Sequence, residues 1–479
     1  MELQVKIPLW NHQIEALERA QDKPFYGLWF DPGLGKSATT VHMIRQRMMK
    51  HGAVLPTLIL CPPVVIENWK QEILMHSKIP ENKIHCLQGP GAYRLEQMKK
   101  YGEGIFITNY EALLMEPLFN SFRGFLGTTG SILVCDEIHR CKEPSAKRTK
   151  KTTILADLAT YRFGLTGTPV LNSLMDVFSQ MRIIDRGKAF GSNFFGFRAK
   201  YFYDKNRGMA RDKYFPDWRV LPNAEAEIRK VLSDNGMYAA KATCLDLPPL
   251  VKKVIHVELS AEQKRLYNSM KKDLIATISD AGGTHVSIAE LAITKALRLQ
   301  QICSGHLRVE GADGEARTIT IKDNPRKAAL KDLLSDLTGA SKVLVWCVFR
   351  DNYQDARDVC ESLGVRYVEV HGDVSDKQTA VREFNTDPEI RVLIGHPGSG
   401  GIGINLISSN VAIYYSRNFS LEQRLQSEAR NYRGGSEIHE SITLIDLVTK
   451  DTIDELVLKS LEGKKELSLS VLKDNLEQL

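Results

Sequence analysis

Phe30-Asp31-Pro32-Gly33-Leu34-Gly35-Lys36-Ser37-Ala38-Thr39 follows the apolar run Tyr26 to Phe30 and precedes a stretch with helical character. A strand, a glycine-rich turn and a helix in that order build a phosphate cradle. Gly33 and Gly35 let backbone N–H groups approach phosphate oxygens, and the helix offers them its positive N-terminal end. Lys36 reaches the terminal phosphates, and the Ser37 hydroxyl can hold a magnesium ion. Asp31, Pro32, Leu34 and Ala38 are the remaining residues of the wrap. The strict pattern has glycine where this chain has Phe30, so the segment alone also fits a plain strand-turn-helix connection. The rest of the chain decides between the two.

Ser131 to His139 reads Ser-Ile-Leu-Val-Cys-Asp-Glu-Ile-His. The apolar run predicts a buried strand that delivers two carboxylates at its C-terminal edge, where open α/β sheets place their ligands. Asp136 can hold magnesium directly or through water, and Glu137 can orient and deprotonate an attacking water. A strand ending in a solvated acidic turn is the other reading. An acidic strand roughly a hundred residues after a phosphate loop favours the chemical one.

Around these two segments the chain alternates short β-branched runs with helical ones. Strands are expected near 25–30, 57–61, 105–109, 131–136 and 161–165, with helices from 36 and from 65; a second series starts at 342–349 and continues near 366–370, 391–395, 411–415 and 441–447. Runs of this kind predict parallel sheets covered on both faces. Between the series, roughly 171–325, helical stretches dominate, including Ala261 to Ile278 and Ser287 to Cys303. The aromatic residues Phe190, Phe194, Phe195, Phe197, Tyr201, Phe202 and Tyr203 could stack on bases, but their helical spacing favours a core. Ala312-Asp313-Gly314 predicts a hairpin turn, and Thr452 with Glu455 a capped helix carrying Ile453, Leu456, Val457 and Leu461 on one side.

Composition constrains rather than identifies. At 479 residues with 43% hydrophobic and 25% charged residues, the chain suits two or three globular domains. A formal charge of +6 is compatible with a locally basic groove without proving one. The strongest basic cluster, Arg140, Lys142, Lys147, Arg148, Lys150 and Lys151, reads as a solvated helix face or as a phosphate contact. Eight scattered cysteines without a Cys-x-x-Cys pair suit a reducing compartment. Cys303 and His306 have metal-ligand spacing but lack a second pair, so zinc is not expected. No leader and no apolar run of membrane-spanning length is apparent, and a soluble cytoplasmic protein without a membrane partner is expected.

Four further segments carry a resemblance: Trp10-Asn11-His12-Gln13, Leu165-Thr166-Gly167-Thr168-Pro169, Gly400-Gly401-Ile402-Gly403-Ile404-Asn405-Leu406, and the trio Gln426, Arg430 and Arg433 expected on one helix. With the phosphate loop and the acidic strand they resemble the superfamily 2 helicase set, in the form of the Snf2 family of DNA translocases. Leu58 to Trp69, Phe106 to Leu113 and Thr452-Ile453-Asp454-Glu455 also match, so the likeness runs from about residue 7 to about residue 468. Ile138 stands where the family usually has Ala, Ala429 where it has Asp, Tyr432 where it has His and Gly435 where it has Gln. The last three put the support of the arginines in question.

The resemblance implies an α/β fold of two RecA-like parallel-sheet lobes with helical insertions and a nucleotide at their cleft. The ATP-binding lobe would span residues 1–242, with an insertion near 171–240, and the C-terminal lobe 243–479, with one near 260–325. ATP and Mg2+ are the implied cofactors. Gln13 would read adenine, Gly403 would line the nucleotide, Gln426 would position water or phosphate, and Arg430 and Arg433 would act as arginine fingers. Asn68, Asn109, Arg350, Ser399 and Asn405 would line a track for double-stranded DNA, gripped without regard to sequence. The implied activity is DNA-dependent ATP hydrolysis driving translocation. A strand-separating or fork-remodelling helicase, an RNA-directed ATPase and an ATP-gated clamp are the alternatives; Thr166-Gly167-Thr168, where RNA helicases of the superfamily have Ser-Ala-Thr, disfavours the second. A compact monomer of bacterial or viral origin, working alone or with a separate protein partner, is expected.

Overall fold

The computed structural model describes residues 7–170, 173–208, 216–244, 246–280, 286–310, 316–398 and 404–463. The chain folds as two units, each with its own sheet: among the described residues, 7–203 and 218–246 form the first, and 204–217 with 247 onward the second.

In the first unit seven strands lie in the order Ile84–Cys86, Ile105–Asn109, Thr57–Cys61, Ile132–Asp136, Tyr161–Leu165, Phe25–Phe30, Gly236–Ala239, every neighbour parallel. Side chains alternate across a strand, and both faces are apolar here. Leu58, Leu60, Leu133 and Cys135 enter one core with the helix Glu116–Leu126, whereas Ile59, Cys61, Ile132 and Val134 enter another with the helices Lys36–His51 and Ile66–His76. Each such aliphatic residue contributes roughly 1.5 to 3 kcal/mol on burial. Because all strands run one way, the chain leaves the sheet at one edge after Phe30, Cys61, Asn109, Asp136 and Leu165. That edge gathers the chemistry.

The edge strand Gly236–Ala239 lies in the stretch expected to be a helical insertion. Its four residues lack a β-branched run, and its place depends on Trp29. A Cβ on Gly27 would lie 2.2 Å from the Trp29 ring and one on Gly236 2.5 Å from the indole nitrogen, so the indole fills the room two absent side chains leave. The indole N–H donates to the Leu232 carbonyl at 3.0 Å. Of the aromatic residues near 190–203, Phe190, Phe197, Tyr201 and Phe202 are buried with Phe178, while Phe195 and Tyr203 face solvent.

The second unit has six parallel strands in the order Leu250–Val257, Ile442–Thr449, Val411–Tyr414, Val343–Trp346, Ile390–Gly395, Arg366–Val370. Leu250–Val257 is a mostly exposed edge strand bearing Lys252 and Lys253, which explains why it lacks the apolar pattern of its neighbours. Helices Ala261–Asp280 and Val286–Cys303 pack with the helix Ile453–Gly463, whose Ile453, Leu456, Val457 and Leu461 are all buried there. Its cap differs by one residue from the expected box: the Thr452 hydroxyl accepts the Asp454 N–H at 3.3 Å, and Glu455 reaches back to the Asp451 N–H. His306–Glu310 pairs antiparallel with Ala316–Thr320; the turn 312–314 lies outside the described residues. Cys303 is buried in the helical core, and His306 Nε2 sits 2.7 Å from Asp355 instead. Among the described residues no helix is long and apolar enough to cross a membrane.

Candidate nucleotide site

Phe30 ends its strand, and the loop that follows turns through Gly33 at φ +94° and Gly35 at φ +71°, conformations that glycine adopts without steric cost. Gly35 has a second reason to be glycine, since a Cβ there would sit 2.2 Å from the Gln13 amide nitrogen. That amide donates to the Gly35 carbonyl at 3.2 Å, while its oxygen accepts the Trp10 N–H at 2.8 Å. His12 Nε2 lies 3.0 Å from the Leu34 carbonyl oxygen. The helix Asn11–Ala20 thus holds the loop through two neighbouring polar residues, only one of which, Gln13, was expected to have a role. A histidine directly before Gln13 was the only signal in the sequence.

Asp31 fastens the other side of the loop, its carboxylate accepting the Lys241 N–H at 3.0 Å. Leu34 and Ala38 are buried, and Ser37 is half-buried in the first turn of Lys36–His51. Lys36 Nζ donates to the Phe30 carbonyl at 2.9 Å, spanning the loop.

Asp136 and Glu137 leave the same sheet edge two strands away, with Tyr161–Leu165 between. Asp136 is buried. Its Oδ2 accepts the Trp69 indole N–H at 2.9 Å, its Oδ1 the Glu137 N–H at 3.0 Å, and its carbonyl the Tyr110 hydroxyl at 2.8 Å. Burial, reinforced by the neighbouring Glu137 charge, pushes its carboxyl up to about 6, against the opposing pull of the Trp69 bond and the Lys36 charge. Glu137 sits at φ +49°, left-handed and non-glycine, a strain of about 1 to 3 kcal/mol of the kind that gathers at functional sites. Its carboxylate lies 3.3 Å from His139 Nδ1, which is also 2.8 Å from the Thr166 hydroxyl, and Thr166 Oγ1 accepts the Thr168 N–H at 3.1 Å. A Cβ on Gly167 would meet Pro32 at 2.9 Å, so the Thr166-Gly167-Thr168 turn touches the phosphate loop and, through His139, the acidic strand. His139 had no expected role, although a buried histidine two residues beyond a carboxylate was a usable signal.

A loop of left-handed glycines at a helix N-terminus, a lysine, a serine hydroxyl and a buried carboxylate make a donor set suited to a magnesium-bound polyphosphate. Magnesium prefers one or two carboxylates together with phosphate oxygens, and Asp136 and Ser37 fit that preference.

In the second unit the helix Leu421–Asn431 carries Gln426 and Arg430 but ends before Arg433. The expectation of one helix for all three is corrected: Tyr432 leaves helical geometry at φ −101°, ψ 82°, followed by Gly435 at φ +100°. Gln426 donates to Glu422 at 3.0 Å. The helix is fixed from behind by Arg424, whose two terminal nitrogens meet Asp446 at 2.6 and 2.9 Å and whose guanidinium lies 3.6 Å over the Tyr414 ring. Arg417 shares Asp446 at 3.1 Å. These buried arginines had no expected role.

The residues expected on a DNA track differ in their surroundings. Asn68 is half-buried in the first turn of Ile66–His76. Arg350 is exposed and 3.1 Å from Asp373, and Asn405 is exposed with its side-chain oxygen on the Ile407 N–H. Asn109 is buried with both ends of its amide engaged, by Arg94 at 2.6 Å and Glu111 at 2.8 Å. Ser399 and Gly403 lie outside the described residues. In the basic cluster Arg140 and Arg148 both approach Glu111, Lys151 pairs with Glu116 and Lys142 with Asp176.

The sequence profile of the SNF2-related domain matches residues 18–306, and that of the helicase conserved C-terminal domain matches residues 325–435. The chain is 25% identical over 452 residues to a putative protein p41 of Acyrthosiphon pisum secondary endosymbiont phage 1, covering 91% of this chain and 92% of that protein. It is 25% identical over 461 residues to the chromodomain-helicase-DNA-binding protein 1-like of Mus musculus, covering 92% of this chain and 47% of that protein. It therefore spans less than half the length of the mouse relative. Of solved structures, a Sulfolobus solfataricus SWI2/SNF2 ATPase core in complex with dsDNA is 22% identical, with a TM-score of 0.45, covering 99% of this chain and 94% of that one.

Proposed function

The chain belongs to the SNF2-related family of helicase-type ATPases, and from that membership we propose that it is an ATP-dependent motor that tracks double-stranded DNA and remodels DNA or protein–DNA complexes. Residues 1–242 form the ATP-binding half and residues 243–479 the helicase C-terminal half. The observation that carries the reading is the meeting, at one sheet edge, of the Gly33–Gly35–Lys36 loop with the buried Asp136 and the strained Glu137, bridged by Thr166 and His139.

In this reading Gln13, already seated on Gly35, presents its amide to adenine. Loop N–H groups and Lys36 hold the phosphates, Ser37 and Asp136 hold Mg2+, and Glu137 orients the water and takes its proton. When bound, Mg2+ neutralises phosphate charge and fixes the phosphate oxygens. Gly403 lines the nucleotide, Gln426 positions water or phosphate, and Arg430 and Arg433 add positive charge in the transition state. Asn68, Arg350, Ser399 and Asn405 meet phosphates of the track, while Asn109 contributes by holding Arg94 and Glu111 in place. The protein works as a monomer in the cytoplasm, alone or with a separate partner.

Two assays together test this. Displacement of a third strand from a triplex reads translocation, and release of one strand from a tailed duplex reads unwinding. Triplex displacement that needs ATP is expected; strand release without triplex displacement would replace the proposal with a strand-separating helicase, and tight DNA binding with negligible ATP turnover would replace it with a clamp.

A further inference from the structure

Trp69 is 1% exposed, and its indole N–H, the side chain's sole donor, is spent on Asp136 Oδ2 at 2.9 Å. The two residues come from different elements. Asp136 ends the strand Ile132–Asp136, whereas Trp69 lies in the first turn of the helix Ile66–His76, after the neighbouring strand Thr57–Cys61, whose Leu60 pairs opposite Cys135. With Oδ1 held by the Glu137 N–H, each carboxylate oxygen has one fixed donor and keeps lone pairs for a further ligand. The carboxylate plane is thereby set by a rigid, buried ring. Asn68 stands next to Trp69 on the same turn and is half-buried near the surface. Asn68, proposed above to meet a track phosphate, is thus the immediate neighbour of the residue that holds Asp136.

We infer that Trp69 is a positioning residue that orients Asp136 toward Mg2+, and that through it the turn at 66–69 couples contact with a nucleic-acid phosphate to metal affinity. This rests on the motor reading above. Groups that orient metal ligands from behind commonly set metal affinity by about 10- to 100-fold. Tyr110 supplies the contrast, since its hydroxyl donates to the Asp136 carbonyl at 2.8 Å and leaves the carboxylate untouched.

The test measures binding of a fluorescent ADP by anisotropy, first in EDTA and then across a Mg2+ titration, with and without duplex DNA. In Trp69→Phe, which keeps a ring and loses the N–H, the Mg2+ midpoint should rise about tenfold or more while affinity in EDTA stays at the wild-type value. Duplex should lower the midpoint in the wild type and leave it unmoved in the variant. Tyr110→Phe should keep the wild-type midpoint and its response to duplex. A merely structural tryptophan would instead weaken binding in EDTA as well, and that result, an unchanged midpoint in Trp69→Phe, or an equal shift in Tyr110→Phe would overturn the inference. If the phenylalanine variant does not fold, Trp69→Leu, which likewise carries no donor, replaces it with the same expectations. Wild-type nucleotide binding that ignores Mg2+ would overturn the motor reading, and this inference with it.

Discussion

In the proposed mechanism Lys36 holds the phosphates and Glu137 takes the proton, so their losses should differ. Lys36→Ala removes the charge that faces the phosphates; Glu137→Gln keeps the shape of the site and removes the base. Both should abolish ATP turnover in folded protein, while nucleotide binding, read with a fluorescent analogue, survives only in Glu137→Gln. Near-normal turnover in either variant would remove that residue from the mechanism. Buried titrating groups also give stability a pH signature. His42 is lowered from 6.5 to about 4, chiefly by burial and then by the Arg45 charge, whose guanidinium lies 3.0 Å away. Between pH 6.5 and about 4 the unfolded chain takes up a proton there that the folded chain refuses, so stability is lost as pH falls through that window. His76, His85 and His396 are lowered too and act in the same sense. Asp136, raised from 3.8 to about 6, acts oppositely between those values, its contribution falling as pH rises. Four lowered histidines outnumber the two raised carboxyls, Asp136 and Asp185, and predict a lower urea midpoint at pH 5 than at pH 7, and a smaller loss in His42→Gln than in the wild type. Equal losses would show that His42 is not a source of the slope.

The helix Leu421–Asn431 depends on buried charge rather than on apolar packing alone. Asp446 receives both Arg424 and Arg417, the Tyr414 hydroxyl lies 2.9 Å from the Ser427 hydroxyl, and Ala429, in place of the usual acid, is simply buried. Arg430 projects from a helix anchored in this way, whereas Arg433 follows the helix end. Arg430→Ala should therefore reduce turnover on the order of 10³-fold with little loss of ATP affinity, as for an arginine finger. Arg433→Ala should do the same if the turn after Tyr432 holds it as firmly. Steady-state turnover set beside equilibrium binding checks both, and sensitivity in only one variant would assign the finger to that residue.

For the molecule as a whole, the mild charge of +6 leaves binding to local geometry rather than to a general field. Duplex DNA should stimulate ATP turnover more than single strands or RNA do, because a duplex tracker needs both strands to keep its orientation. The stimulation should fall steeply with salt, since each neutralised phosphate releases a counterion. Equal stimulation by all three nucleic acids, or a flat salt response, would contradict a phosphate-gripping track.

Most strands of the two sheets were legible, as residues 25–30, 57–61, 105–109, 131–136 and 161–165 and again from 342 onward, because strands buried on both faces read as unbroken apolar runs. Ile84–Cys86, Gly236–Ala239 and Leu250–Val257 were not: the first is three residues long, the second is placed by the Trp29 indole, and the third is exposed and charged. The glycine-rich loop and the acidic pair were equally legible as segments, because each is made of residues adjacent in the chain. What the sequence by itself determined was thus the order of most elements and the identity of the candidate groups. Only the tertiary structure decided which residues stand behind them: His12 on Leu34, Trp69 on Asp136 across 67 positions, His139 on Thr166, and Arg424 on Asp446. It also decided that the helix Leu421–Asn431 stops before Arg433. The reason is the range of the forces. Turn geometry and strand burial are written in neighbouring residues, whereas a buried hydrogen bond between distant segments exists only once the sheet has brought their ends to one edge.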